Sequence, residues 1–227
     1  MSALIAASLI WLGLHLGVAG SPLRGTLVAR LGEGGYRGLF VLASLASIAF
    51  LIDAFEHAPR SVWWVAPQGL RWILVLLMLP ACMWLVASLT TISVKPEDAG
   101  TRRSEVRGVL RITRHPMLWS IALWAMVHIL GNGERAATLF FGTFLVTTLA
   151  GMPSIDRKAA ARAPQTWEKF AAETSILPYG AILAGRNRLV LRELAWTLPL
   201  GLLLWLVLLW AHQRVFGVAP VAWPWVH

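Results

Sequence analysis

Residues 72–89, WILVLLMLPACMWLVASL, contain no charged side chain. At ~1.5 Å per residue, a helix of this length nearly crosses the ~30 Å hydrocarbon layer of a bilayer. Comparable apolar runs recur along the whole chain, and we predict six helices that span a membrane. Their predicted bounds are residues 3–19, 38–55, 70–92, 117–131, 136–152 and 194–212.

The overall composition agrees with a membrane protein. Of the 227 residues, 57% are hydrophobic and only 14% are charged, which excludes an ordinary cytosolic enzyme. No internal repeat or low-complexity segment divides the chain, so we predict one domain over residues 1–227, an all-α polytopic helical bundle. The single cysteine, Cys82, permits neither an intramolecular disulfide nor a thiolate metal cluster.

The distribution of basic residues predicts the orientation in the membrane. Residues 20–37, 93–116 and 153–193 hold three, six and seven Lys or Arg, sixteen of the twenty in the chain. Because cytoplasmic loops are rich in Lys and Arg, these loops are predicted to be cytoplasmic and both termini periplasmic, in a bacterial inner membrane. The first span lacks a preceding basic segment and is expected to be retained rather than cleaved. The net charge of +9 favours contact with anionic lipid headgroups. The basic residues are dispersed along the chain, which argues against a nucleic-acid-binding surface.

Two histidines lie among apolar residues inside predicted spans. His15 occurs in Leu-Gly-Leu-His-Leu-Gly, and His128 occurs in Met-Val-His-Ile-Leu. A neutral imidazole in such a place requires either a hydrogen-bond partner or a metal. Neither span contains an acidic partner, and two imidazoles suit the two axial positions of a haem better than a closed zinc site. Structural roles suffice for the histidines in loops, in the tail and at the outer end of the last helix: His57, His212 and His227.

A third candidate ligand, His115, opens the fourth predicted helix ahead of Pro116, where a helix-start role is also open. By helical rise, His15 lies ~7 Å and His128 ~18 Å from the cytoplasmic side. This offset of ~10 Å leaves open whether His128 or His115 shares a metal with His15. Arginines at the cytoplasmic edge are the expected partners of haem propionates. They are Arg24, Arg111 and Arg114.

Several motifs together resemble one family. They are Gly13-Leu14-His15, Ser21-Pro22-Leu23-Arg24, Leu31-Gly32-Glu33, Tyr36-Arg37, Arg114-His115-Pro116-Met117-Leu118, Leu123 to Gly133, Trp167-Glu168, Thr174-Ser175 and Pro178 to Ile182. They span nearly the whole chain. The sequence thereby resembles the NnrU family of denitrification-associated membrane proteins, which is related to zeta-carotene isomerase, a haem-dependent cis/trans isomerase.

The resemblance implies a haem b held by histidines at positions that correspond to His15 and His128. A cysteine three residues before the second histidine of the isomerase is Ala125 in this chain. The resemblance further implies a part in nitrite and nitric oxide metabolism. An isomerase-like or nitric oxide-responsive haem protein is the expectation, with a small hydrophobic or gaseous ligand.

Two other classes of function remain open at this point. Arg114-His115-Pro116 followed by Trp167-Glu168 also looks like the isoprenylcysteine and phospholipid methyltransferases, which use S-adenosylmethionine. Their usual tyrosine two residues beyond the proline is Leu118 here, and their paired glutamates are absent from this sequence. The third class is a non-enzymatic membrane assembly factor.

Overall fold

The computed structural model describes residues 1–91 and 106–221. Of these described residues, 78% are helical, and their β-structure is a single bridge between Val62 and Glu134. The helices are α1 (Ser2–Leu12), α2 (Leu23–Glu56), α3 (Gln68–Thr91), α4 (Pro116–Asn132), α5 (Arg135–Arg162), α6 (Pro164–Glu173), α7 (Gly180–Leu183) and α8 (Thr197–Phe216). A π-helical segment, Gly13–Val18, continues α1, and two short 3₁₀ turns cover Gly108–Arg111 and Leu191–Leu194.

Four helices are long and apolar enough to cross a membrane: α2, α3, α5 and α8. The helix over residues 2–18 and α4 are apolar but shorter. The predicted helical architecture is thus confirmed for the described residues, and length and composition make four of the six predicted spans long and apolar enough to cross a membrane.

Two predicted boundaries were wrong. Helix α2 begins at Leu23, within what was predicted to be a loop, and bends at Gly32, whose φ of 72° and ψ of 162° break the helix before the apolar run. Helix α5 continues to Arg162 because the Lys-Ala-Ala-Ala-Arg segment favours helix beyond the apolar region. The predicted loop over residues 93–116 and the predicted outer tail lie partly outside the described residues.

The apolar helices pack in a row. Helix α3 packs between α8 and α4, α5 packs between α4 and α1, and α1 also packs against α2. Side chains donate across the first two of these contacts, from Trp205 Nε1 to the Val75 carbonyl at 2.9 Å and from Ser120 Oγ to the Ala81 carbonyl at 2.8 Å. Small residues at the contacts allow close helix approach in a membrane, where interhelical hydrogen bonds also contribute.

The two ends of the bundle differ in charge. We call the end with Arg24, Arg111, Arg114 and Lys158 the basic end, and the end with Gly133, where α4 turns into α5, the opposite end. Helix α1 runs parallel to α5, and the π-helical segment that continues α1 ends at the basic end. There, Ser154 Oγ donates to the Gly20 carbonyl at 3.1 Å and Lys158 donates to the Ala19 carbonyl. These side chains from α5 satisfy carbonyls that a helix end leaves without partners.

Alanines and phenylalanines form the core between α1, α2, α4 and α5. The buried members are Leu4, Ala7, Leu51, Ala54, Ala58, Ala125, Ala136, Ala137, Phe140 and Phe141. Ala125 is fully buried in this core, one turn before His128. The core lies between the helices that carry the candidate histidines and therefore fixes their positions.

Candidate functional site

His15 lies in the π-helical segment that follows α1. Its Nδ1 is 3.0 Å from the carbonyl oxygen of Trp11, four residues earlier, and the imidazole stacks on the Trp11 indole with ring centres 3.9 Å apart. Trp11 is in turn fixed to α5, because its Nε1 donates to Thr147 Oγ1 at 3.1 Å. π-helical turns inside helices frequently mark functional positions.

His128 repeats this arrangement on α4. Its Nδ1 is 2.8 Å from the carbonyl oxygen of Trp124, again four residues earlier. The imidazole packs against the Phe141 ring of α5 at 4.7 Å and lies 5.3 Å from the Trp124 ring. Both candidate histidines therefore follow the pattern Trp-x-x-x-His, and both are positioned by aromatic side chains and by α5.

The hydrogen bonds assign the tautomer of each ring. A carbonyl oxygen can only accept, so Nδ1 of a neutral His15 or His128 carries the proton and Nε2 presents a lone pair. Within residues 1–91 and 106–221, the structure gives neither Nε2 a hydrogen-bond partner. A hydrogen bond from one ring nitrogen to a backbone carbonyl is the usual support of a histidine that binds a metal through the other.

An aromatic layer separates the two histidines along the bundle. The Phe144 ring contacts the Trp11 ring at 5.2 Å and the Trp124 ring at 5.5 Å, so the two tryptophans lie at one level. Each histidine follows its tryptophan by about one helical turn, ~6 Å. Because helix α1 and helix α4 run in opposite directions, His15 lies on one side of this level and His128 on the other. Their backbones are thus offset by ~12 Å, close to the offset that the sequence predicts.

His115 has a different environment at the basic end. Its Nε2 is 2.8 Å from Asp156 Oδ1, and its side chain is only 7% exposed. Burial lowers the pKa of His115, although the Asp156 carboxylate and its hydrogen bond act in the opposite direction. The Nε2 atom of His115 is therefore already engaged, unlike those of His15 and His128.

Each candidate propionate-binding arginine contacts a carboxylate of this chain. Arg24 donates to Glu33 at 2.7 Å. Arg111 donates to both oxygens of Glu193, at 2.8 and 3.0 Å. Arg114 donates from Nε to Asp156 Oδ2 at 2.9 Å. The hydrogen bond from Arg111 holds the pKa of Glu193 below its usual range, and the role of the three arginines toward a propionate stays a prediction.

Two residues next to candidate histidines were not predicted to be site residues, and one of them, His212, was assigned a structural role. Asp156 lies beyond the fifth predicted span, yet it is buried on α5 between Arg114 and His115. A spacing of four residues continues the buried stripe from Thr148 through Met152 to Asp156, and this was the available signal. The second is His212 on α8, whose ring centre lies 6.2 Å from that of His128; nothing in the sequence pairs these two histidines.

The comparisons with known proteins agree with the motifs. The model of the NnrU protein family matches residues 3–220. The chain is 26% identical over 194 residues to the chloroplastic 15-cis-zeta-carotene isomerase of Zea mays. The aligned segment covers 82% of this chain and 52% of the maize protein. The chain is also 32% identical over 80 residues to the Arabidopsis thaliana isomerase of the same name. This aligned segment covers 35% of the chain and 22% of the Arabidopsis protein.

The chain therefore spans about half the length of its maize relative. No solved structure matches it. Because the family model covers nearly all of the sequence, including the segments of both candidate histidines, the chain belongs to the NnrU family.

Proposed function

We propose that this chain is a membrane protein that binds haem b through His15 and His128. We further propose that it acts in nitrite and nitric oxide metabolism as an isomerase-like or nitric oxide-responsive protein. One observation carries the proposal: each Nδ1 is bonded to a tryptophan carbonyl, which leaves Nε2 for a metal. A bound haem would supply an iron whose axial ligand can exchange, which sensing, electron transfer and isomerisation all require.

The residues around the histidines fit an apolar cofactor. His15 lies 5.5 Å from the Phe40 ring, and His128 stacks on Phe141. Such rings exclude water, and the tryptophan carbonyls hold each imidazole in one orientation and make Nε2 more basic. Of the three arginines proposed for the propionates, Arg24 has the most exposed side chain, at 26% against 20% for Arg111 and 13% for Arg114. We therefore expect Arg24 to contribute most.

The isomerase-like activity rests on the relatives. Their names specify 15-cis-zeta-carotene as the compound that they isomerise, and we propose a small hydrophobic substrate or a gaseous ligand for this chain. Ala125 faces the packed core rather than free space. The proposed iron centre therefore relies on histidines, without a side-chain ligand from that position.

The test is an optical spectrum of the full chain, purified in detergent from haem-replete cells through a tag that contains no histidine. We expect a Soret band and six-coordinate, low-spin iron. His15→Ala and His128→Ala should each lose most of the haem. His115→Ala should lose less, because the Nε2 atom of His115 contacts Asp156, and the exposed control His57→Ala should lose none. A folded, monodisperse wild-type protein without colour would refute the proposal.

A further inference from the structure

His128 of helix α4 and His212 of helix α8 are neighbours near the opposite end of the bundle. Their ring centres are 6.2 Å apart, and their ring planes are within 21° of parallel. A metal held between two imidazole nitrogens at ~2.1 Å each sets the ring centres about 6 Å apart. The observed separation is therefore compatible with a single metal centre between the two rings.

The hydrogen bonds of the two rings leave one nitrogen of each ring available to a metal. His212 Nδ1 is 2.7 Å from the Val218 carbonyl, and His128 Nδ1 is 2.8 Å from the Trp124 carbonyl. Each Nδ1 of the neutral rings must donate, so both rings present an unprotonated Nε2. Among the described residues, neither Nε2 has a hydrogen-bond partner. Two lone pairs on neighbouring imidazoles, neither with a donor, are groups that a metal ion can satisfy.

The local fold explains why His212 is held in this orientation. Helix α8 ends at Phe216, and Gly217 adopts a left-handed conformation with φ of 70°. This turn directs the chain back, so that the Val218 carbonyl reaches the ring six residues earlier. His212 is half-buried and lies about one turn, ~6 Å, from the end of α8, so an ion can reach it from the aqueous phase.

We propose that His128 and His212 together bind one transition-metal centre through their Nε2 atoms, with His212 in place of His15 as the partner of His128. Imidazole donors favour late first-row metals, and affinity among the divalent ions is highest for Cu²⁺. The centre is either a free ion or the iron of a haem, and in the haem case His212 takes the place proposed above for His15. Only the haem alternative rests on the proposed function.

The first arm of the test uses Cu²⁺ alone with the full chain produced without haem, purified through a tag that contains no histidine. We expect one Cu²⁺ per chain, with electron paramagnetic resonance hyperfine structure from two nitrogens. His128→Ala, His212→Ala and the less disruptive His212→Gln should each weaken binding by at least about tenfold. The exposed control His57→Ala should bind as the wild type does.

The second arm uses the haem-loaded chain and distinguishes the two sources of the metal. Loss of the low-spin signal in His212→Gln, with recovery on addition of imidazole, identifies haem iron as the occupant. An unchanged spectrum, together with weakened Cu²⁺ binding in the first arm, identifies a free ion.

The inference is overturned if His212→Gln binds Cu²⁺ as tightly as the wild type, or if His15→Ala abolishes Cu²⁺ binding while His212→Gln does not. A wild-type protein without haem would refute the proposed function alone, because the Cu²⁺ arm does not depend on it.

Discussion

Replacing Asp156 with asparagine tests the buried charge cluster at the basic end. The Asp156 carboxylate accepts from Arg114 at 2.9 Å and from His115 at 2.8 Å, and the Arg114 and Asp156 side chains are 13% and 12% exposed. Asparagine preserves the volume but leaves the Arg114 guanidinium buried without its anion. Breaking a buried pair in this way costs about 3–5 kcal/mol, which for a chain of this size lowers the unfolding midpoint by roughly 10 °C.

The assay is thermal unfolding in detergent, followed by far-ultraviolet circular dichroism. Asp53→Asn is the matched control, because Asp53 also lies beside a histidine, at 3.4 Å from His57, but on the surface; its midpoint should not change. The double variant Arg114→Met, Asp156→Leu should lose less than Asp156→Asn, since it buries no unpaired charge. An Asp156→Asn protein within about 1 kcal/mol of the wild type would refute the reasoning.

Three further predictions follow from other parts of the structure. Gly201→Ala should destabilise by about 1–3 kcal/mol in the same assay, because a Cβ there would lie 2.6 Å from the Met83 Cα of α3, whereas Gly142→Ala, which meets nothing within 4 Å, should not. The pKa of Glu193 is lowered in the folded protein, so its bond to Arg111 stabilises the fold above the unfolded-state pKa of ~4.3, and this stabilisation is lost as pH falls. An acid titration of the unfolding midpoint should show the loss. Glu193→Gln should abolish that part of the pH dependence, whereas the control Glu168→Gln should retain it. A reporter that is active only in the periplasm should be active when fused after His227 and inactive when inserted at Gly185, and the reverse pattern would contradict the orientation predicted from the basic loops.

The sequence was a good guide to the helices because a membrane imposes a simple rule. Apolar runs long enough to cross the bilayer must satisfy their backbone polar groups internally, so each becomes a helix. The rule does not locate helix ends beyond the apolar layer. Helix α5 therefore extends ten residues past its predicted end, and α2 begins before Gly32.

The candidate site was predictable only in part. His15 and His128 stand out as polar residues in apolar runs, and helical rise alone predicts their offset along the bundle. The partners of these residues depend on which helices are neighbours. The row of helices brings Asp156 of α5 to His115, and His212 of α8 to His128, and neither pairing has a signature at a fixed sequence spacing.

Helix α5 serves as the common reference for both candidate histidines. Thr147 holds Trp11 beside His15, Phe141 packs against His128, and Phe144 lies between the two tryptophans. These three residues occupy less than two turns of one helix. A rotation or axial shift of α5 would therefore displace both imidazoles together, so events at one histidine can reach the other mechanically, without any residue that bridges them directly.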